Sequence, residues 1–151
     1  MGKLIWVCGI PFSGKSTIAK RLYRELEWAG KKVVLLDDEQ IKRVRSGKDI
    51  QKVLDTIGQE YNILVVPSLK ILPRKPDLVI WCNPPLKECV KRDRARRIGE
   101  EIAAEDSFAY VWKGYSVDAD VILIEDNSWE KLQEAVETKF GEINWQTRLD
   151  V

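Results

Sequence analysis

A parallel α/β sheet with helices on both faces is the fold class this sequence predicts, and three observations carry the prediction. Short runs of consecutive apolar residues recur along the chain, stretches with helical periodicity separate them, and a glycine-rich turn directly follows the first run. Apolar runs without alternation indicate strands buried on both faces, as a sheet with helical crossovers requires.

The first strand is expected over Leu4 to Cys8. The second covers Val33 to Leu36 and runs into Asp37 and Asp38, and Ile63 to Val66, Leu78 to Trp81 and Val121 to Ile124 complete the set. Ile18, Leu22, Leu26 and Ala29 share one helical face that Gly30 can close, and Ile50, Val53, Leu54, Ile57 and Tyr61 form another behind Asp49. Pro84 and Pro85 suit the opening turn of a third helix through Leu86, Cys89 and Val90. Ser128 is placed to cap a last helix carrying Trp129, Leu132, Val136 and Phe140. No repeat, low-complexity stretch or linker interrupts this order, so residues 1–151 read as a single domain.

Composition narrows the function classes. With 44% hydrophobic residues the chain can build a core, and a net charge of +1 argues against coating nucleic acid by bulk electrostatics. No apolar run approaches the roughly 18 residues a membrane span needs, and MGKLIWVCGIPFSGK turns polar too early for a signal peptide. A soluble cytoplasmic protein without a membrane partner is expected. Cys8, Cys82 and Cys89 are odd in number and lack zinc-ribbon spacing, so they read as buried free thiols. The absence of histidine removes Ser-His and Cys-His nucleophiles and imidazole acid-base work together. Chemistry is left to carboxylates, Lys, Arg, hydroxyls, backbone amides or a metal.

The glycine-rich turn supplies that chemistry. Gly9, Ile10, Pro11, Phe12, Ser13, Gly14, Lys15 and Ser16 read GIPFSGKS, a complete match to GxxxxGK[S/T], with Thr17 behind them. The match lies between a strand and a helix, the context the phosphate-binding loop requires. Its backbone amides form a nest for phosphate, and the positive end of the following helix faces the same anion. Lys15 is expected to reach the β and γ phosphates of ATP, and the Ser16 hydroxyl to ligate Mg²⁺. The expected architecture is a P-loop kinase-type sheet of five parallel strands in the order 2-3-1-4-5, reached by right-handed crossovers.

Asp37, Asp38 and Glu39 fall at the carboxyl end of the second strand, where open α/β sheets bind ligands. Carboxylates there can orient an acceptor hydroxyl, take its proton or hold metal-bound water. They can equally well serve as negative charge at the start of the next helix. The third strand ends ILVVPS, without the acidic residue of motor ATPases, which favours a small-molecule kinase. Lys87 to Arg97, KECVKRDRARR, holds six basic residues and two acids. It reads as a solvated helix face, as a phosphate-contacting patch for nucleic acid, or as an arginine-rich lid around residues 92–113. In the last reading, Arg92 and Arg96 neutralise charge on the transferred phosphoryl group and exclude water. Phe108 and Trp112 can stack on a base, with core packing the favoured assignment for each.

These pieces resemble one family. IWVCGIPFSGKSTIAKRLYRELEWAGKKVVLLDDEQIKR is similar to the opening of adenylylsulfate kinases, with GLSGSGKST and LLDGDNVR aligning without a gap. NPPLKECVKRD from Asn83 to Asp93 is similar to the family's PLEVCEQRD, and VDADVILIEDNSWEKLQEAV resembles its closing strand and helix. The resemblance implies phosphorylation by ATP, with Mg²⁺, of the 3′-hydroxyl of adenylyl sulfate, often in a homodimer. It places Asp37 and Glu39 on the motif's acids and Lys42 on its arginine. Lys15, Asp37 and Glu39 are then the catalytic candidates, and Lys42 and Arg74 the anchors for a small anionic acceptor. The middle section is shorter here, between Arg43 and Asp49 and again after Arg74. Ser68, in PSLKILPR, does not stand where the family's phosphate-carrying serine does, so direct transfer is expected. The same loop and acids would also serve a kinase for another nucleoside, a metabolite or a nucleic-acid 5′ end, or a non-catalytic ATP-binding regulatory module.

Overall fold

The computed structural model describes residues 2–37, 47–66, 72–97, 103–124 and 129–146. Its elements follow in the order β1 (Lys3–Cys8), α1 (Lys15–Trp28), β2 (Val33–Leu36), α2 (Gly47–Ile57), β3 (Tyr61–Val65), β4 (Leu78–Cys82), α3 (Leu86–Arg96), β5 (Val121–Leu123) and α4 (Trp129–Phe140). The strands form one five-stranded sheet in the order β2-β3-β1-β4-β5, and every neighbouring pair is parallel. Both fold class and strand order are those the apolar runs and the phosphate-loop motif predict.

β1 occupies the centre and divides the core. Ile5 and Val7 join Ile63, Val65, Ile80 and Leu123 beneath α1 and α4, which contribute Ala19, Leu22, Leu26, Leu132 and Val136. Leu4, Trp6 and Cys8 point to the other face, with Leu36, Leu64, Val66 and Ile50 of α2. This two-sided burial explains why the strands read as continuous apolar runs. The buried indole of Trp6 donates to the Val66 carbonyl at 2.7 Å, satisfying its one polar atom in the core.

Four strands differ from expectation by a residue or two at their ends, and one boundary changes element. Tyr61 continues the apolar face of α2 in sequence, yet the helix stops at Ile57 and Tyr61 opens β3. Its backbone pairs in register with both Lys3 and Val33, so ladder bonds on two sides outweigh helical periodicity. All three cysteines are buried and free. No helix among the described residues is long and apolar enough to cross a membrane.

Candidate functional site

Parallel strands deliver all their carboxyl ends to one edge, so the segment after β1 emerges beside those after β3 and β4. Gly9 leaves β1 in a space with no room for a side chain. A Cβ there would lie 2.6 Å from the Cys82 carbonyl oxygen and closer still to the Ser13 hydroxyl. Gly14, at φ 85°, caps α1 without any side-chain hydrogen bond, so the first helical amides stay available to an anion. Ser13 is buried, and its hydroxyl has no hydrogen-bond partner. A buried polar atom left orphaned in such a loop suits a phosphate oxygen. Lys15 is half-buried and reaches back to the Ile10 carbonyl at 3.4 Å, while Ser16 and Thr17 stand exposed on the first turn of α1.

Phe12 carries the strain of the loop. Its φ of 66° is left-handed, uncommon for a residue with a side chain. Its ring packs with Ile10 against Cys89, Val90 and Ala109, which offsets that cost. The same conformation presents its carbonyl to Arg92 Nη1 at 3.0 Å and its ring to the Arg96 guanidinium, 5.4 Å from the centroid. Arg92 is also paired with Glu88, at 3.6 Å. Both arginines expected in the lid thus converge on the phosphate loop. Arg92 and Arg96 also wall a groove of about 600 Å³ whose floor is Gly14 and Thr17 and whose far side is Leu123 and Ile124. Arg21, which the sequence reading missed, lines that groove and stacks over Trp129 at 4.4 Å.

Asp37 follows β2 at the same edge and is half-buried. With β3 between β2 and β1, it stands about 9–10 Å from the loop in strand spacings. Asp38, Glu39 and Lys42 lie outside the described residues, as does Ser68. Among the described residues no three His, Cys, Asp or Glu side chains gather to hold a metal. The exposed Ser16 hydroxyl at the start of α1 is an oxygen donor of the kind Mg²⁺ takes.

Arg74 requires a correction. Its guanidinium donates to the Gly2 carbonyl at 2.7 Å and to the Asp77 carboxylate at 3.1 Å, before β1 and β4 begin. The length of β1, about 20 Å, separates it from the phosphate loop, so it cannot anchor an acceptor there. Asp77 in turn accepts the Leu4 amide at 2.7 Å. Burial would raise its pKa, but that amide and Arg74 together hold the carboxyl below its usual range. Phe108 is corrected as well: it is 59% exposed rather than in the core, with the Arg97 guanidinium 4.1 Å from its ring.

Two further residues shape the edge. Asp93 is buried on α3 and accepts from Ser107 Oγ, the Phe108 amide and Arg97 Nε at 2.8, 3.0 and 3.1 Å. Burial opposes its ionisation, yet these three donors together hold its pKa below the usual carboxylate range. Tyr115 reaches beneath the loop to the Cys8 thiol and the Gly9 backbone. Burial pushes the Cys8 and Cys82 thiols up to about 12, so neither is a nucleophile near neutral pH.

Solved structures share this fold. The crystal structure of APE1195 superposes with a TM-score of 0.60 at 21% identity, covering 91% of this chain and 93% of that one. The fold is that of a P-loop kinase. A putative fructose transport system kinase from Silicibacter sp. TM1040 gives a TM-score of 0.60 at 12% identity, over 80% of this chain and 89% of that one. The Mycobacterium tuberculosis APS kinase CysC, solved with AMPPNP and APS, gives 0.56 at 21% identity, over 91% and 95%. Residues 2–60 also match the family model of the chromatin associated protein KTI12. No curated protein sequence matches the chain.

Proposed function

We propose that this P-loop kinase fold is an ATP-dependent phosphotransferase that moves a γ-phosphoryl group to a hydroxyl of a small anionic acceptor. Adenylyl sulfate is the lead candidate, through its 3′-hydroxyl. One observation carries the reading: the orphaned Ser13 hydroxyl, the uncapped amides of α1 and Lys15 meet in one loop, beside Arg92 and Arg96. Backbone amides, Ser13 and Lys15 would hold the phosphates, Ser16 and phosphate oxygens the Mg²⁺, and the groove walled by Arg92 and Arg96 the nucleoside. When bound, the metal supplies positive charge against the charge developing on the phosphoryl oxygens. Asp37, with Glu39, would orient the acceptor hydroxyl and receive its proton.

The residues 2–60 matched by the KTI12 model include the loop and Asp37. That match favours one second reading, a nucleotide-binding module that acts through a partner. Labelled ATP offered with adenylyl sulfate, sugars, nucleosides and oligonucleotide 5′ ends separates the two. Transfer to any hydroxyl supports the phosphotransferase, whereas nucleotide binding without transfer supports the module. Under either, Mg-ADP at about 100 times Kd adds about 2.7 kcal/mol and raises Tm by roughly 5–11 °C. No shift at millimolar nucleotide overturns both.

A further inference from the structure

The groove beside the phosphate loop holds one basic side chain without a task in phosphate binding. Gly14, Thr17, Ile18 and Arg21 stand at i, i+3, i+4 and i+7 along α1 and all line the groove, so a single face of the helix forms its floor. Arg21 lies about 10 Å beyond Gly14 along the helix axis, at the end of the floor remote from the phosphates. Side chains on a helix tilt toward its N-terminus, so that of Arg21 leans back over the floor.

Trp129, at the start of α4, holds the guanidinium of Arg21 4.4 Å from its ring centroid. Among the described residues Arg21 makes no hydrogen bond and no ion pair, so its N–H donors are unused. Ile124, 54% exposed, adds apolar surface across the groove. No carboxylate or side-chain amide lines the groove among the described residues. Its base end therefore presents donors and apolar surface.

We infer that Arg21 reads the base of the donor nucleotide and admits guanine, so that GTP serves as a phosphoryl donor beside ATP. The inference rests on the reading of this groove as the nucleoside's site. A guanidinium donates hydrogen bonds and accepts none. Guanine turns two acceptors, N7 and O6, along one edge, and an arginine fork pairs with both. Adenine offers N7 alone on that edge, beside an N6 amine that is itself a donor. The stack on Trp129 fixes the plane of the fork before a ligand arrives. Transfer balances in the same way from either nucleotide. The bond from the γ-phosphorus to the β,γ-bridging oxygen breaks, a bond to the acceptor's hydroxyl oxygen forms, Asp37 receives the hydroxyl proton, and GDP leaves in place of ADP.

Calorimetric titration of the full chain with the Mg²⁺ complexes of GDP, ADP, IDP and 7-deaza-GDP tests this. IDP keeps N7 and O6 but lacks the exocyclic amine of guanine, and 7-deaza-GDP lacks the N7 acceptor. GDP and IDP are expected to bind within about 3-fold of ADP or more tightly, and 7-deaza-GDP about 10-fold more weakly than GDP. Arg21→Met, which keeps an unbranched stem against Trp129, should weaken GDP by about 10-fold and ADP by about 3-fold at most. Arg21→Lys separates base reading from charge alone. It restores the cation without the fork, so ADP should recover while GDP stays weaker than in the wild type. Binding of GDP more than about 3-fold weaker than that of ADP in the wild type, or a GDP-to-ADP ratio unmoved by Arg21→Met, overturns the inference while nucleotide binding stands. Equal binding of GDP and 7-deaza-GDP overturns it on the wild-type protein alone. If neither GDP nor ADP binds, the phosphotransferase reading falls and this inference with it.

Discussion

At the amino edge of the sheet, Arg74, Asp77 and Asp120 tie the strand starts together. Asp77 takes the Leu4 amide and Asp120 the Val79 amide, each at 2.7 Å, while Asn62 bridges the Lys3 and Gln59 carbonyls. At the carboxyl edge of the same strands stand a left-handed Phe12, an orphaned Ser13 hydroxyl and an uncapped α1. One edge has its polar groups matched within the chain, and the other holds strain and unmet hydrogen-bonding capacity. Both are made by the same strands, so the contrast does not come from the sheet itself. It marks where the chain leaves room for something that is not protein.

Substitutions at each edge can break this contrast. The largest effect is expected for Lys15→Ala at the open edge. Phosphoryl transfer should fall by about 10²–10³-fold or more with weaker nucleotide binding, because Lys15 would contact phosphates before and during transfer. A stopped turnover assay with matched circular dichroism checks it, and unchanged transfer would remove Lys15 from the chemistry. Asp37→Asn should lower kcat by about 10²-fold with little change in the KM for ATP. Full activity would assign Asp37 to helix-end electrostatics.

Asp93→Asn comes next, with an expected loss of about 1.5–3 kcal/mol because hydrogen bonds to a charged acceptor are removed. The folded pKa of Asp93 lies below its unfolded value, so this stabilisation is complete above the unfolded carboxyl's pKa of about 3.9. It is lost as the pH falls through the folded value. Urea titrations should therefore show a constant gap between wild type and variant from about pH 5 upward, closing as the pH falls below the unfolded carboxyl's value. The smallest effect belongs to the matched edge. Arg74→Ala should cost about 0.5–1.5 kcal/mol of stability and leave both KM values unchanged. A raised acceptor KM would put Arg74 back into the site.

The sheet was legible because burial on both faces leaves unbroken apolar runs, and the phosphate loop because its spacing is dictated by the ligand. Arg74 was not, since sequence does not tell which end of a β3-to-β4 crossover a residue occupies. Tyr61 fitted the helical period of α2, and only its pairing with Lys3 and Val33 moved it into β3. Asp93 looked like one acid in a solvated basic run, although its i,i+4 spacing to Arg97 was a usable signal. The path of Tyr115 back to Cys8 left no mark in the sequence, because it depends on how the chain returns from residues 103–112 to β5.

The central position of β1 bears on synthesis at the ribosome. Its partners are β3, starting at Tyr61, and β4, starting at Leu78, so the first strand to emerge is completed on both sides only once residues to Cys82 are available. Until then LIWVC is an uncharged, strongly β-forming segment with two open edges, the kind of sequence that recruits copies of itself. Nascent chains arrested before Leu78 should accordingly need a holdase to stay dispersed, whereas chains arrested beyond Phe140 should not.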